Sequence, residues 1–199
     1  MVPLAIDHVL IPVDDLAAAG ATMKARYGLT SIEGGRHPGW GTANRVVPLG
    51  DAYLELVAVI DRDAAALSAF GRWILGATPG QPLGWAFRTR AIAEVGQRLG
   101  LSIAERSRTT PDGGVLRWRS AGLDAATAEP GLPFFIEWAD WVRLPGTAPA
   151  RHPSGDVRLR RLSLATDPAP LVHWLGQNGL PLSVKAGRSG LISVCPGAW

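Results

Sequence analysis

The chain has 199 residues, 47% of them hydrophobic and 19% charged, with a formal net charge of +3. That length and balance suit one large or two small globular domains whose core suffices without a disulfide or structural metal. The basic residues are scattered, no apolar run approaches the roughly 18 residues of a membrane span, and Cys195 is a single cysteine, so nucleic-acid, membrane and disulfide-scaffold classes are set aside.

A buried strand is expected over 6–13, rich in Val, Ile and Leu. Asp14 or Asp15 caps a helix over 16–27, with Leu16, Ala19, Met23 and Tyr27 on its apolar stripe and Gly28 at its end. A strand starting at Thr30 is broken by Gly34-Gly35. Strands over 45–49 and 52–60 flank the tight turn Gly50-Asp51. This is a β-α-β-β-β order. A helical linker over 63–75 then reaches the boundary Thr78-Pro79-Gly80-Gln81-Pro82.

The second stretch repeats that order. It has a strand over 83–89, a helix over 91–99 closed by Gly100, strands over 101–108, 115–120 and 134–138, and a proline-bearing loop over 124–133. After a linker from Gly146 to Gly155 comes a shorter unit: a strand over 157–166, a helix over 168–178 ending at Asn178-Gly179, and strands over 182–185 and 191–194. The expected fold class is α+β. Tandem βαβββ modules over 1–76 and 80–145 form one domain over 1–145, and a partial third βαββ module over 155–199 packs on it. Met1-Val2-Pro3-Leu4 lacks the charged and apolar regions of an export signal, so a cytoplasmic location is expected.

The repeat carries an asymmetry. Aligning the helices puts His8 opposite Gly84 (84 − 8 = 76), and the carboxylates of Tyr53-Leu54-Glu55-Leu56 and Phe135-Ile136-Glu137-Trp138 lie 82 apart (137 − 55). A carboxylate inside an apolar strand is costly to bury unless something binds it. Glu55 and Glu137 are therefore expected to face a cleft, with His8 beside them. Substrate-binding candidates are His37, Asn44, Trp85, Arg117 and Trp118, although Trp85 takes the opposite side of its strand from position 84. Arg117 and Arg119 share one face of a strand and Trp118 takes the other, so an arginine there faces solvent or meets a substrate carboxylate. No Gly-x-Gly-x-x-Gly, Walker loop or Gly-x-Ser-x-Gly elbow is present, which argues against nucleotide hydrolysis and serine-esterase chemistry.

Ile6-Asp7-His8-Val9 on the first strand, His37-Pro38-Gly39-Trp40-Gly41-Thr42-Ala43-Asn44-Arg45, and Tyr53-Leu54-Glu55-Leu56 on the fourth strand resemble the vicinal oxygen chelate superfamily, and within it the glyoxalase-like domain proteins. The resemblance spans roughly residues 4–141. It implies two modules curled around one cleft. In that cleft a divalent metal is held by the first and last strand of each module, at positions matching His8, Glu55, Gly84 and Glu137. Gly84 has no side chain. Either three ligands (His8, Glu55, Glu137) hold zinc, iron, manganese or nickel with water or substrate in the fourth place, or the metal is absent and a pocket is retained. Two readings follow. One is a metal-dependent lyase, isomerase or dioxygenase acting on a small oxygenated metabolite, with Glu55 or Glu137 as base. The other is a non-catalytic small-molecule binder, which the eight tryptophans favour. The resemblance also implies a homodimer.

Overall fold

Strands that are apolar on both faces need a covering layer on each side, and the first half of the chain is built from such strands. The computed structural model describes residues 2–129, 131–176, 179–185 and 190–198, the last run by its backbone. The first module comprises β1 (Ala5–Pro12), α1 (Leu16–Tyr27), β2 (Ile32–His37), β3 (Thr42–Leu49) and β4 (Ala52–Val59). The connector forms α2 (Arg62–Leu67) and α3 (Ala69–Leu75). The second module comprises β5 (Gly84–Arg88), α4 (Ile92–Leu99), β6 (Ile103–Thr109), β7 (Val115–Ala121), α5 (Leu123–Ala128) and β8 (Phe134–Trp138). The tail forms β9 (Val157–Ala165), α6 (Pro168–Leu175), β10 (Leu182–Lys185) and β11 (Gly190–Ala198).

Eight strands close into a barrel in the order β1-β4-β3-β2-β6-β7-β8-β5. The two modules therefore have the same internal order. They meet antiparallel at β1 and β5, and again where Arg36 of β2 pairs with Thr109 of β6. Gly35 makes that second seam: its φ is +156°, and a Cβ there would lie 2.4 Å from the Thr109 carbonyl oxygen. Only a residue without a side chain lets β6 come so close.

Local signals act as expected at α1. The Asp15 carboxylate accepts from the Ala18 amide at 2.8 Å, and Gly28 ends the helix in the left-handed region at φ 65°. Tyr27 is the exception to its stripe: it is 54% exposed, with the Arg26 guanidinium over its ring. The single linker helix is two helices, because Ser68 takes an extended backbone and its hydroxyl accepts from the Gly71 amide at the start of α3. The loop over 124–133 opens with α5, which follows Gly122 in the left-handed region. The expected helix end at Asn178 and the side chain of Cys195 lie outside the described residues.

Two apolar clusters separate the inside of the barrel from the outside. Outward residues Val9, Leu54, Trp85, Phe87 and Phe135 pack with Leu162 and Leu164 of β9 and Leu171 and Trp174 of α6. The tail thus covers the barrel's outer face, fixed by the Trp174 indole donating to the Pro133 carbonyl at 2.7 Å. Inward residues Leu10, Val57, Ala86, Phe134 and Ile136 meet Phe70 and Ile74 of α3, which plugs the interior. No helix among the described residues is long and apolar enough to cross a membrane.

Gly84 faces this plug. A Cβ there would lie 2.2 Å from the Trp73 ring of α3, so the indole fills the place a side chain would take. Gly84→Ala is expected to destabilise the protein by about 1–3 kcal/mol through overpacking. The penalty should shrink in a Trp73→Leu background, because both changes act on the same volume. Urea unfolding of the four proteins of that cycle checks this, and simple additivity would contradict it.

Candidate functional site

Strand alternation sorts the polar residues of the first module. His8 on β1, Asn44 on β3 and Tyr53 and Glu55 on β4 all point inward. A bulge in the β1–β5 pairing between Ile6 and His8 adds Asp7 to the same region. The cavity they line encloses about 480 Å³ of space between atoms when the open solvent at its mouth is included.

One wall is a continuous polar chain. Asp7 Oδ1 lies 2.8 Å from His8 Nδ1, and Asp7 Oδ2 accepts from the Trp138 indole at 2.9 Å. Arg88 stands 3.6 Å from the same carboxylate. His8 Nε2 and Glu55 Oε2 face each other across 3.5 Å, wide for a hydrogen bond but close enough for both to touch one atom between them. Asn44 donates to Glu55 Oε1, and Arg108 of β6 donates to Asn44 Oδ1 at 3.1 Å. Asp7, His8, Asn44, Glu55 and Arg108 are all buried. A Cβ at Gly34 would lie 2.1 Å from Asn44 Oδ1, so the first of the two β2 glycines, at the bulge, makes room for this carboxamide.

The other walls are aromatic. Trp40 packs on Phe70 at 4.5 Å between ring centroids, and Trp118 on Trp138 at 5.4 Å. The His8 ring stacks on Tyr53 at 4.8 Å and meets Phe134 edge-on at 5.5 Å, which fixes its plane. Two further groups are held uncharged. Burial above all lowers the His37 pKa to about 4, with Arg108 and His8 acting the same way against an opposing Glu55. Burial also raises Tyr53 well above its ordinary value, helped by Asp7 and Glu55.

The structure therefore brings together His8, Glu55, His37, Asn44 and Trp118, and places three other candidates elsewhere. Glu137 is on the outer face of β8, directly opposite Arg119 of β7, whose Nε donates to it at 2.7 Å. The reason is register. His8 pairs with Tyr53, and Glu55 lies two residues on; Ala86 pairs with Phe134, and Ile136 lies two residues on. The module offsets are thus 78 (86 − 8) on the first strand and 81 (136 − 55) on the last. A slip of one residue moves a side chain to the other face of its strand. Trp85 is buried on the outer side, its indole donating to the Gly131 carbonyl at 3.1 Å. Arg117 is exposed on the outer face of β7. Asp7 and Arg108 join the site unforeseen: a bulge leaves no mark in the sequence around Asp7, and Arg108 is one of several arginines on strands.

The donor set falls short of a resident metal site. Among the described residues only His8 Nε2 and Glu55 Oε2 share a free point; Glu137 is outside, and the matching positions of the second module hold Ala86, Phe134 and Ile136. Catalytic sites for zinc ordinarily supply three protein ligands. Among the described residues, no group of three or more His, Cys, Asp or Glu side chains is placed to hold an ion. An ion here would need donors from a bound molecule.

A family model described as a glyoxalase-like domain matches residues 6–178. No curated protein matches the chain in sequence. Among solved structures, a hypothetical protein from Staphylococcus aureus superposes with a TM-score of 0.71 at 13% identity, covering 95% of this chain and 88% of that one. A variant of Streptomyces coelicolor methylmalonyl-CoA epimerase, in complex with 2-nitronate-propionyl-CoA, superposes with a TM-score of 0.52 at 21% identity, covering 70% of this chain and 100% of that one. At these identities the likeness is one of fold.

His37 generates a pH prediction. A base whose folded pKa lies below its ordinary 6.5 binds fewer protons folded than unfolded between 6.5 and about 4, so stability falls as pH drops through that window. Urea unfolding at pH 7, 5.5 and 4 should show wild type losing up to about 3 kcal/mol more than His37→Gln. Parallel pH profiles for the two would contradict it.

Proposed function

The chain belongs to the glyoxalase-like domain family of the vicinal oxygen chelate superfamily, and on that premise we propose that it moves a proton at a carbon beside a carbonyl group of a small oxygenated metabolite held inside the barrel. The observation that carries this reading is the Asp7–His8–Glu55 arrangement in an apolar cavity. With its Nδ1–H given to Asp7, a neutral His8 presents the Nε2 lone pair to the cavity and acts as base. Asp7 then stabilises the imidazolium that forms, as an orienting carboxylate does for other histidine bases. The electron pair left on carbon spreads onto the carbonyl oxygen. Glu55 stands within reach to take the proton from His8 and return it at the same or a neighbouring atom. No atom is gained or lost, so the reaction is an isomerisation or epimerisation. The epimerase of Streptomyces coelicolor, which shares the fold, gives that reaction class a precedent by name. A second reading, sequestration without chemistry, is favoured by one feature: the second module lines the cavity mainly with aromatic and aliphatic walls.

Proton exchange separates the two. A panel of small oxo acids and oxo esters is incubated in deuterium oxide with the protein and followed by NMR. The expected result is exchange at the carbon beside the carbonyl for at least one compound, lowered about a hundredfold or more in both His8→Gln and Glu55→Gln. Unchanged exchange in His8→Gln would defeat the proposal. Binding without exchange would transfer support to sequestration.

A further inference from the structure

The carboxylates and the cations of the cavity are not balanced against one another. Asp7 is answered by Arg88 and the Trp138 indole, and Glu55 by Asn44. Arg108 is 6% exposed, donates to the neutral oxygen of Asn44, and among the described residues has no carboxylate within 4.0 Å. A guanidinium cannot shed its charge at any ordinary pH, so burying it without an anion is costly. Its seat is nevertheless built: Cβ atoms at Gly34 and Gly35 would lie 3.0 and 3.1 Å from its Nη1, so the two glycines leave the room it occupies.

Arg106 strengthens the imbalance. It lies two residues away on the same inward side of β6, its guanidinium 5.5 Å from the centre of the Trp40 ring. Its Nε is buried and has no hydrogen-bond partner. Two cations thus stand two residues apart on one strand, Arg108 lining the cavity and Arg106 beside its Trp40 wall.

We infer that the molecule bound here carries a carboxylate, received by Arg108 with Arg106 beside it, on a flat apolar body that lies against the tryptophans. The planar fork of a guanidinium matches a carboxylate through two parallel hydrogen bonds, and the aromatic walls suit a flat neighbour. Arg108 and Arg106, not Arg117, then set the substrate class. The inference rests on the cavity being the substrate site proposed above, and names the substrate's charged end.

Benzoate and benzamide have nearly the same shape and differ in charge, so titrating both by tryptophan fluorescence and calorimetry tests it. Wild type should bind benzoate about tenfold or more tightly than benzamide. Arg108→Gln, which keeps a donor for Asn44, should abolish that preference, and Arg106→Gln should reduce it; the latter serves if the former does not fold. Equal affinity in wild type, binding of neither probe, or a preference intact in a folded arginine variant would overturn the inference. Tighter binding of phenylphosphonate than of benzoate would also overturn it, in favour of a phosphoryl group. Binding is read without turnover, so a failure of the proton-exchange experiment leaves this result standing, and the reverse holds.

Discussion

A charge inside a closed barrel persists only where something inside the barrel answers it, and the interior of this protein is arranged around that requirement. Asp7 reaches the inside because a bulge interrupts β1, and there it finds the Trp138 indole and Arg88. Glu55 finds the carboxamide of Asn44, which fits because position 34 is glycine. His8 stands between the two carboxylates with its plane fixed by Tyr53 and Phe134. Asp7, His8, Asn44 and Glu55 are placed by strands of the first module, while Arg88 and Trp138 reach them from β5 and β8 of the second. The chain of contacts continues across the β2–β6 seam to Arg108, which among the described residues has no carboxylate within 4.0 Å.

The two halves of the barrel share a strand order but divide the labour. The first supplies the carboxylates and histidines; the second supplies walls, together with Arg88 of β5 and the arginines of β6. This follows from which residues occupy inward positions. On β8 these are Phe134, Ile136 and Trp138, while Glu137 and Arg119 satisfy each other on the outside. The connector between the halves also has a structural task. Its second helix inserts Phe70, Trp73 and Ile74 into one end of the barrel, and Gly84 is small because Trp73 is there. The tail unit covers the opposite, outward side of the strands, which explains why Trp85, Phe87 and Phe135 can be fully buried while pointing away from the cavity.

Much of this was legible in the residues alone. The order of elements in both modules, the ends of α1 at Asp15 and Gly28, and the apolar strands around His8 and Glu55 follow from short-range patterns: periodicity, capping chemistry and turn residues. Glu137 is the exception, for a related reason. Alternation says that neighbouring residues on a strand face opposite ways, but it does not say which way either one faces. That choice depends on how strands from two modules align: aligning the helices gives an offset of 76 on the first strand and pairing the two glutamates gives 82 on the last, two residues and one residue from the 78 and 81 of the structure.

By itself, then, the sequence determined the elements, their repetition and the presence of a histidine and a glutamate on strands one and four, because these depend on contacts a few residues apart. Only the tertiary structure decided which groups meet. The bulge that turns Asp7 towards His8, the seam that carries Arg108 to Asn44, the outward face of Glu137 and the indole at Gly84 depend on register and closure between distant strands. One residue of register is enough to exchange the inside of a barrel for its outside.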